Sequence, residues 1–167
     1  RLDGGLTAAM IADSGLAGTD KAIVHGTPNP NMLTVHNNNP PTVSATGGFV
    51  NIDLTAPDKG SPEQVNYSET LEELEVRGED GMDTLFVEPS LTTEITANGS
   101  SPTFGDGDTD VPAVGVGDTL DLDSYGNTFT IICGTILIND DNDVNFEGAN
   151  FKAVNYRSIE NMPLNPL

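Results

Sequence analysis

The sequence predicts an all-β chain, built as tandem β-sandwich-like modules with a parallel β-solenoid as the alternative architecture. Three observations lead there. Short runs of Val, Ile, Leu, Thr and Phe alternate with period two, as at Val50, Ile52, Leu54 and at Ile136, Ile138. The links between them are turn-coded: "TPNPN", "NNNPP", "APDKGSP", "ANGSSP", "GDGDTD". Helical periodicity is nearly absent.

Taken in order, strands are expected at 21–25, 32–36, 48–54, 72–77, 84–88, 92–97, 119–123, 127–132, 134–139 and 150–156. Each is a short apolar alternation closed by Gly, Pro, Asn or Asp. Two stretches carry a trace of helix. In "SPEQVNYSETLEELEV", Ser61 would cap a short helix, with Gln64 at its third position. The other is "LTAAMIA", 6–12. Even spacing and Asn/Gly/Pro turns favour antiparallel meanders over solenoid coils.

Phrases recur along the chain. Val65-Asn66-Tyr67 returns as Val154-Asn155-Tyr156. A Gly-Asp strand entry appears in "GTDKAIV" (18–24), "GMDTLFV" (81–87) and "GDTLDL" (117–122). The order of phrases implies two diverged units, 18–75 and 76–167, behind a leader at 1–17.

Composition bounds the function. Six basic residues face 26 acidic ones, for a formal charge of -20. Phosphate neutralisation needs clustered Lys and Arg, so nucleic acid is excluded as a partner. An anionic membrane surface is disfavoured likewise, and no stretch approaches a membrane span. The charge favours cations or basic partners. A single cysteine, Cys133, sits in the apolar run "TFTIICGTILI" and reads as a buried, inert thiol.

Three acidic loops are candidate calcium sites, because calcium takes six to eight oxygens from carboxylates and carbonyls on flexible backbone. The first is Gly78 to Asp83, with Asp80 and Asp83 as ligands and Glu79 beside them. The second is "FGDGDTDVP", where Asp106, Asp108 and Asp110 crowd one loop. The third is "INDDNDVNFEG", with Asp141, Asp143 and Asn145; it is no EF-hand, since Phe146 and Lys152 occupy the positions of the obligatory Gly and Glu.

Catalytic patterns are missing. There is no G-x-S-x-G or H-E-x-x-H. The two histidines, His25 and His36, lie at strand ends. Acidic pairs for glycoside cleavage exist in number, yet a sugar groove wants aromatic platforms, and the chain has no Trp.

"LEELEVRGEDGMDTLFVEPS", "GDTLDLD" and "VNYRSIENM" resemble repeats of very large secreted or cell-surface bacterial proteins. The resemblance runs from about Gly18 to Met162. "GEDGMDTLF" is also similar to the calcium-binding nonapeptide of β-roll proteins, matching at Gly78, Gly81, Asp83 and Leu85. It departs where Glu79 replaces a glycine, and a single copy does not make a β-roll. The resemblance implies a non-enzymatic extracellular or cell-surface element, a structural or adhesive (adhesin-like) repeat of a surface layer or fibre. Its partners would be copies of itself or adjacent repeats of a longer chain. Two other functions stay open: a carbohydrate-binding or carbohydrate-cleaving domain, and a viral or phage surface protein.

Overall fold

The structure is a computed structural model. It describes residues 9–11, 18–37, 48–54, 63–68, 70–102, 117–123, 129–132, 134–138 and 151–163. Among these residues the chain is all-β. Two mixed sheets of six strands each share one core, and a two-stranded pair lies at a corner between them.

Fourteen strands follow in sequence: β1 (Ala9–Ile11), β2 (Lys21–His25), β3 (Asn31–Asn37), β4 (Gly48–Leu54), β5 (Glu63–Tyr67), β6 (Glu73–Arg77), β7 (Asp80–Gly81), β8 (Thr84–Val87), β9 (Glu94–Asn98), β10 (Ser101–Pro102), β11 (Thr119–Leu122), β12 (Phe129–Ile132), β13 (Thr135–Ile138) and β14 (Val154–Arg157). One sheet has the order β1-β5-β4-β3-β8-β11. The other runs β12-β13-β14-β9-β6-β2.

The expected strands are present, with ends moved by a few residues. The helix expected after Ser61 is not there: its sequence forms β5 and β6. Val65 and Tyr67 alternate inward on β5, and burying that face outweighs the local helical preference of the Glu-rich stretch. Of the other helical stretch, 6–12, the described part is β1.

The expected antiparallel meander is also replaced. Hairpin pairings occur only at β3–β4–β5 and β12–β13–β14 among the described strands. Elsewhere the pairing is parallel: β3 with β8 and β8 with β11 in one sheet, and β2 with β6, β6 with β9 and β9 with β14 in the other. The reason lies in the links. The Gly-containing turn after β2 does not fold the chain back onto β2; it carries it across to the opposite sheet as β3. The same crossing joins β6 through β7 to β8, and β9 and β11 likewise belong to opposite sheets.

Each crossing makes one pass, and passes stack in register. Ala22, Leu74, Ile95 and Val154 form one interior column. Leu33, Leu85 and Leu120 form the facing one. All seven are buried. Removing such a side chain from water is worth about 1.5–3 kcal/mol for the larger residues, so these columns are the principal cohesion between passes.

The Val-Asn-Tyr phrases occupy different places: Val65-Asn66-Tyr67 is on β5 in the first sheet, Val154-Asn155-Tyr156 on β14 in the second. Strand β6 spans the boundary expected between 75 and 76.

Candidate functional site

The most structured polar region is the corner where each pass turns from β2, β6 or β9 toward the opposite sheet. Three glycines stack there. Gly26 N–H donates to Arg77 O (2.7 Å), Gly78 N–H to Asn98 O (2.9 Å) and Gly99 N–H to Arg157 O (3.1 Å). The following residues Glu79 and Ser100 take positive φ, 77° and 72°, so the corner turns through left-handed backbone at two successive passes.

Each pass then places one short polar side chain at the start of the next strand: Asn31, Asp83 and Asp118. They form a line of backbone-to-side-chain bonds. Asn31 N–H donates to Asp83 Oδ1 (2.7 Å), Asp83 N–H to Asp118 Oδ1 (2.8 Å), and Asp118 N–H to Glu160 Oε2 (2.7 Å). These amides sit at the mouths of parallel strands, where the ladder has not yet begun, so a side-chain acceptor on the next pass satisfies them.

The second oxygens have no such role. Asp83 is 1% exposed and Asp118 0%. Oδ2 of each is buried without a hydrogen-bond partner. They lie against the corner glycines: a Cβ added to Gly78 would stand 2.2 Å from Asp83 Oδ2, and one added to Gly99 2.2 Å from Asp118 Oδ2. Only glycine leaves room for the carboxyl. At the first pass the equivalent oxygen is satisfied, since Asn31 Oδ1 accepts from Thr27 N–H (2.6 Å).

Burial therefore dominates both acids. Asp83 is pushed up to about 6, chiefly by burial, against the pull of the Asn31 amide and with Glu79 and Asp80 adding repulsion. Asp118 is pushed up to about 7 by burial, opposed by the Asp83 amide and reinforced by the charges of Asp83 and Glu160.

A second cluster lies on the outward side of β6. Glu75 is 1% exposed although it faces away from the core. Its carboxylate accepts from Arg77 Nε (2.8 Å), Asn98 Nδ2 (3.2 Å) and Arg157 Nη2, and pairs with Lys21 Nζ (2.9 Å). Burial works to raise its pKa, but the bonds from Arg77, Lys21, Arg157 and Asn98 together outweigh it and hold the carboxyl well below the usual carboxylate range. The partners come from β2, β6, β9 and β14, so one carboxylate ties four parallel strands together.

The expected calcium ligands fall as follows. Asp83 is turned inward onto the Asn31 amide. Asp80 is exposed on β7, paired in register with Ser101. Glu79 bonds His25 Nδ1 through Oε1 (2.5 Å). Among the described residues no three acidic, His or Cys side chains converge as a metal cage. Asp106, Asp108, Asp110, Asp141, Asp143 and Asn145 lie outside the described residues, as does Cys133. His36 pairs with Glu88 (3.0 Å) and lies beside Phe49, ring centroids 4.7 Å apart. The two histidines thus serve separate strand ends.

Asp83, expected as a calcium ligand, accepts from the Asn31 amide here, and Asp118, Glu75 and Asn31 join the site without having been expected in it. A signal for the line existed. Gly26 to Asn31 and Gly78 to Asp83 share one spacing, and each is followed by the same apolar alternation.

No family model, curated protein or solved structure matches the chain.

Proposed function

We propose that the chain is a non-catalytic structural and adhesive module of an extracellular layer or fibre, wound as a parallel β-solenoid rather than as a pair of antiparallel sandwiches. The observation that carries this reading is the in-register stacking of passes through hydrophobic columns, a glycine corner and a polar line. Such stacking makes a quasi-one-dimensional body whose parts contact only their neighbours, which is the construction of building elements and extended binding surfaces. Among the described strands, β2 and β12 bound one sheet and β1 and β11 the other, the outer side of β11 being already bridged by Asn161. Outer strands of this kind are natural places for another copy or an adjacent repeat to continue the sheet.

Calcium keeps a place in the proposal at the acidic segments 104–112 and 138–148, where it would offset the acidic self-repulsion. The test of the function is electron microscopy and light scattering of the purified chain across concentration. End-to-end assemblies support it. A monodisperse monomer at every concentration overturns it.

A second reading has one observation in its favour. The outward face of the first sheet sets Asn51, Gln64 and Asn66 beside Phe49 and His36. Amides next to aromatic rings are the chemistry of saccharide recognition. Binding of a defined glycan on an array would promote the carbohydrate reading above the structural one.

A further inference from the structure

We propose that copies of the chain join head to tail through the second sheet, the outer edge of β12 on one copy pairing in parallel with the outer edge of β2 on the next. The inference rests on the structural reading above and deepens it, because it names the partner, the two edges and their register.

Strand direction comes first. β12 is antiparallel to β13, and β13 to β14, while β14, β9, β6 and β2 all run parallel. The two outer strands of this sheet therefore point the same way. A copy shifted along the sheet, without being turned over, lays its β12 beside β2 as one more parallel pair. The side-chain rows match as well. On the outward face Ile132 pairs with Thr135, and the row passes through Asn155, Thr96 and Glu75 to Ile23. It begins and ends on isoleucine, 53% exposed at Ile132 and 40% at Ile23. On the inward face the column of Ala22, Leu74, Ile95 and Val154 continues through Ile136 to Ile131. All its members are buried except the last, Ile131, which is 38% exposed. The joint sets Ile132 beside Ile23 and Ile131 beside Ala22, so both rows run from one copy into the next without a step in register.

Ile131 and Ile132 are consecutive, so they face opposite sides of β12, and both meet solvent. Sheets that end in water protect such an edge with charge or proline; β12 has neither among its four residues. Apolar groups on both faces leave water when the edge is paired, and the backbone gains a ladder. Charge allows the contact at this place. Copies carrying a formal charge of -20 repel one another. In this sheet Glu73, Glu75 and Glu94 lie on the inner strands β6 and β9. Neither β2 nor β12 holds an acid, and Lys21 on β2 is a cation. The outer strand β11 of the other sheet, by contrast, carries Asp121 and is bridged by Asn161. Because the joint uses two different edges, repetition yields an open filament rather than a closed dimer.

The experiment uses the full chain carrying Cys133→Ser. One preparation adds Ile23→Cys and a second adds Ile132→Cys. They are mixed and treated with a thiol-bridging bimane that spans about one interstrand spacing of 4.8 Å. A two-chain product that forms on mixing, and in neither preparation alone, is expected. Product from Ile23→Cys alone, or from Ile132→Cys alone, overturns the joint, since like edges would then be pairing in a closed dimer. So does the absence of product in a mixture that light scattering shows to be assembled; that result removes this joint and leaves the structural reading standing. A wild-type chain that is monomeric at every concentration overturns both. A second variant, Ile131→Asp, points a charge inward at the β12 edge, where partial exposure lets the monomer tolerate it. With its circular dichroism unchanged, it should be monomeric alone. Added to the wild type it should shorten the assemblies, because its intact β2 accepts a wild-type β12 while its own β12 accepts nothing. Assemblies of Ile131→Asp alone as large as those of the wild type refute the joint. Should Ile131→Asp fail to fold, the cross-link decides.

Discussion

Replacing Glu75 by Gln keeps the shape of the side chain and removes its charge. The consequence follows from the geometry. The carboxylate is enclosed, and its partners Lys21, Arg77 and Arg157 supply three positive charges from three strands. Breaking a fully buried ion pair costs about 3–5 kcal/mol. Here only the acid is enclosed. The side chains of Lys21, Arg77 and Arg157 are 43%, 32% and 54% exposed, and each can return to water when released. Solvent screening lowers the cost accordingly, to about 1–3 kcal/mol, still above the roughly 0–1 kcal/mol of an ordinary surface pair. For a chain of this size that is a fall of about 5 °C in Tm. The pH dependence sharpens the test. Glu75 has its pKa depressed by its partners, so its contribution is present above the unfolded value of 4.5 and is lost as pH falls through the folded one. Urea unfolding at about pH 7 and again at about pH 2.5 should therefore show a clear gap between wild type and Glu75→Gln at the first and a reduced one at the second, because pH 2.5 lies inside the window over which the contribution is lost. A gap below about 0.5 kcal/mol at neutral pH, the range of ordinary surface substitutions, would refute the clamp. A gap unchanged in acid would show that the effect is not electrostatic.

Other expectations follow from the same packing. Leu120→Ala empties a position with no exposure in the facing column; a loss of about 2–5 kcal/mol is expected by chemical denaturation. Gly99→Ala would drive a methyl group to 2.0 Å from Ser158 O and 2.2 Å from Asp118 Oδ2. With backbone on one side and a packed acid on the other, that cost should reach about 2–3 kcal/mol, whereas Gly18→Ala, which meets nothing within 4 Å but carries a φ of 132°, should lose only the smaller cost of backbone strain. Chelation of calcium should lower the melting midpoint if the acidic segments 104–112 and 138–148 hold the ion, by an amount that grows with the free concentration restored; an unchanged midpoint removes calcium from the account.

Much of the β content was legible because alternation is a local signal. "KAIVH" and "GFVNIDL" declare their inward faces without reference to the rest of the chain. The partner of each strand was not legible. A Gly/Asn/Pro turn looks alike whether it reverses the chain within a sheet or carries it across to another, so "HGTPNPN" between β2 and β3 reads as a hairpin and is a crossing. The helix expected around Ser61 failed for a related reason. "EQVNY" has only two inward residues, and its strand character depends on Phe49 and Val50 lying beside it on β4.

The polar line was half legible. The phrases "GMDTLFV" and "GDTLDL" were recognised as equivalent, and Thr84 and Thr119 are indeed paired. The third member was sought in "GTDKAIV", because it carries the same Gly and Asp. The structural equivalent is "NMLTV", where Asn31 stands in for the acid. Asn31 Oδ1 accepts from the Thr27 N–H of its own turn, whereas Asp83 Oδ1 accepts from the Asn31 N–H of the preceding pass, so a search for charge misses what a search for acceptors finds. Asp118 was passed over because its corner glycine, Gly99, lies far back in the sequence. Glu75 was hidden because its partners Lys21, Asn98 and Arg157 are brought to it only by the stacking of passes.

The parallel register of β8 and β11 tests the central claim most directly. Cysteines at Thr84 and Thr119, in a chain carrying Cys133→Ser, should be joined by a thiol-bridging bimane reagent that spans about one interstrand spacing of 4.8 Å, giving a fluorescent product in the folded state and none in urea. A chain with cysteines at Thr84 and Asp123, positions that an antiparallel hairpin would bring together, should stay unjoined. Fluorescence from the second pair and not from the first would contradict the stacked passes and everything built on them.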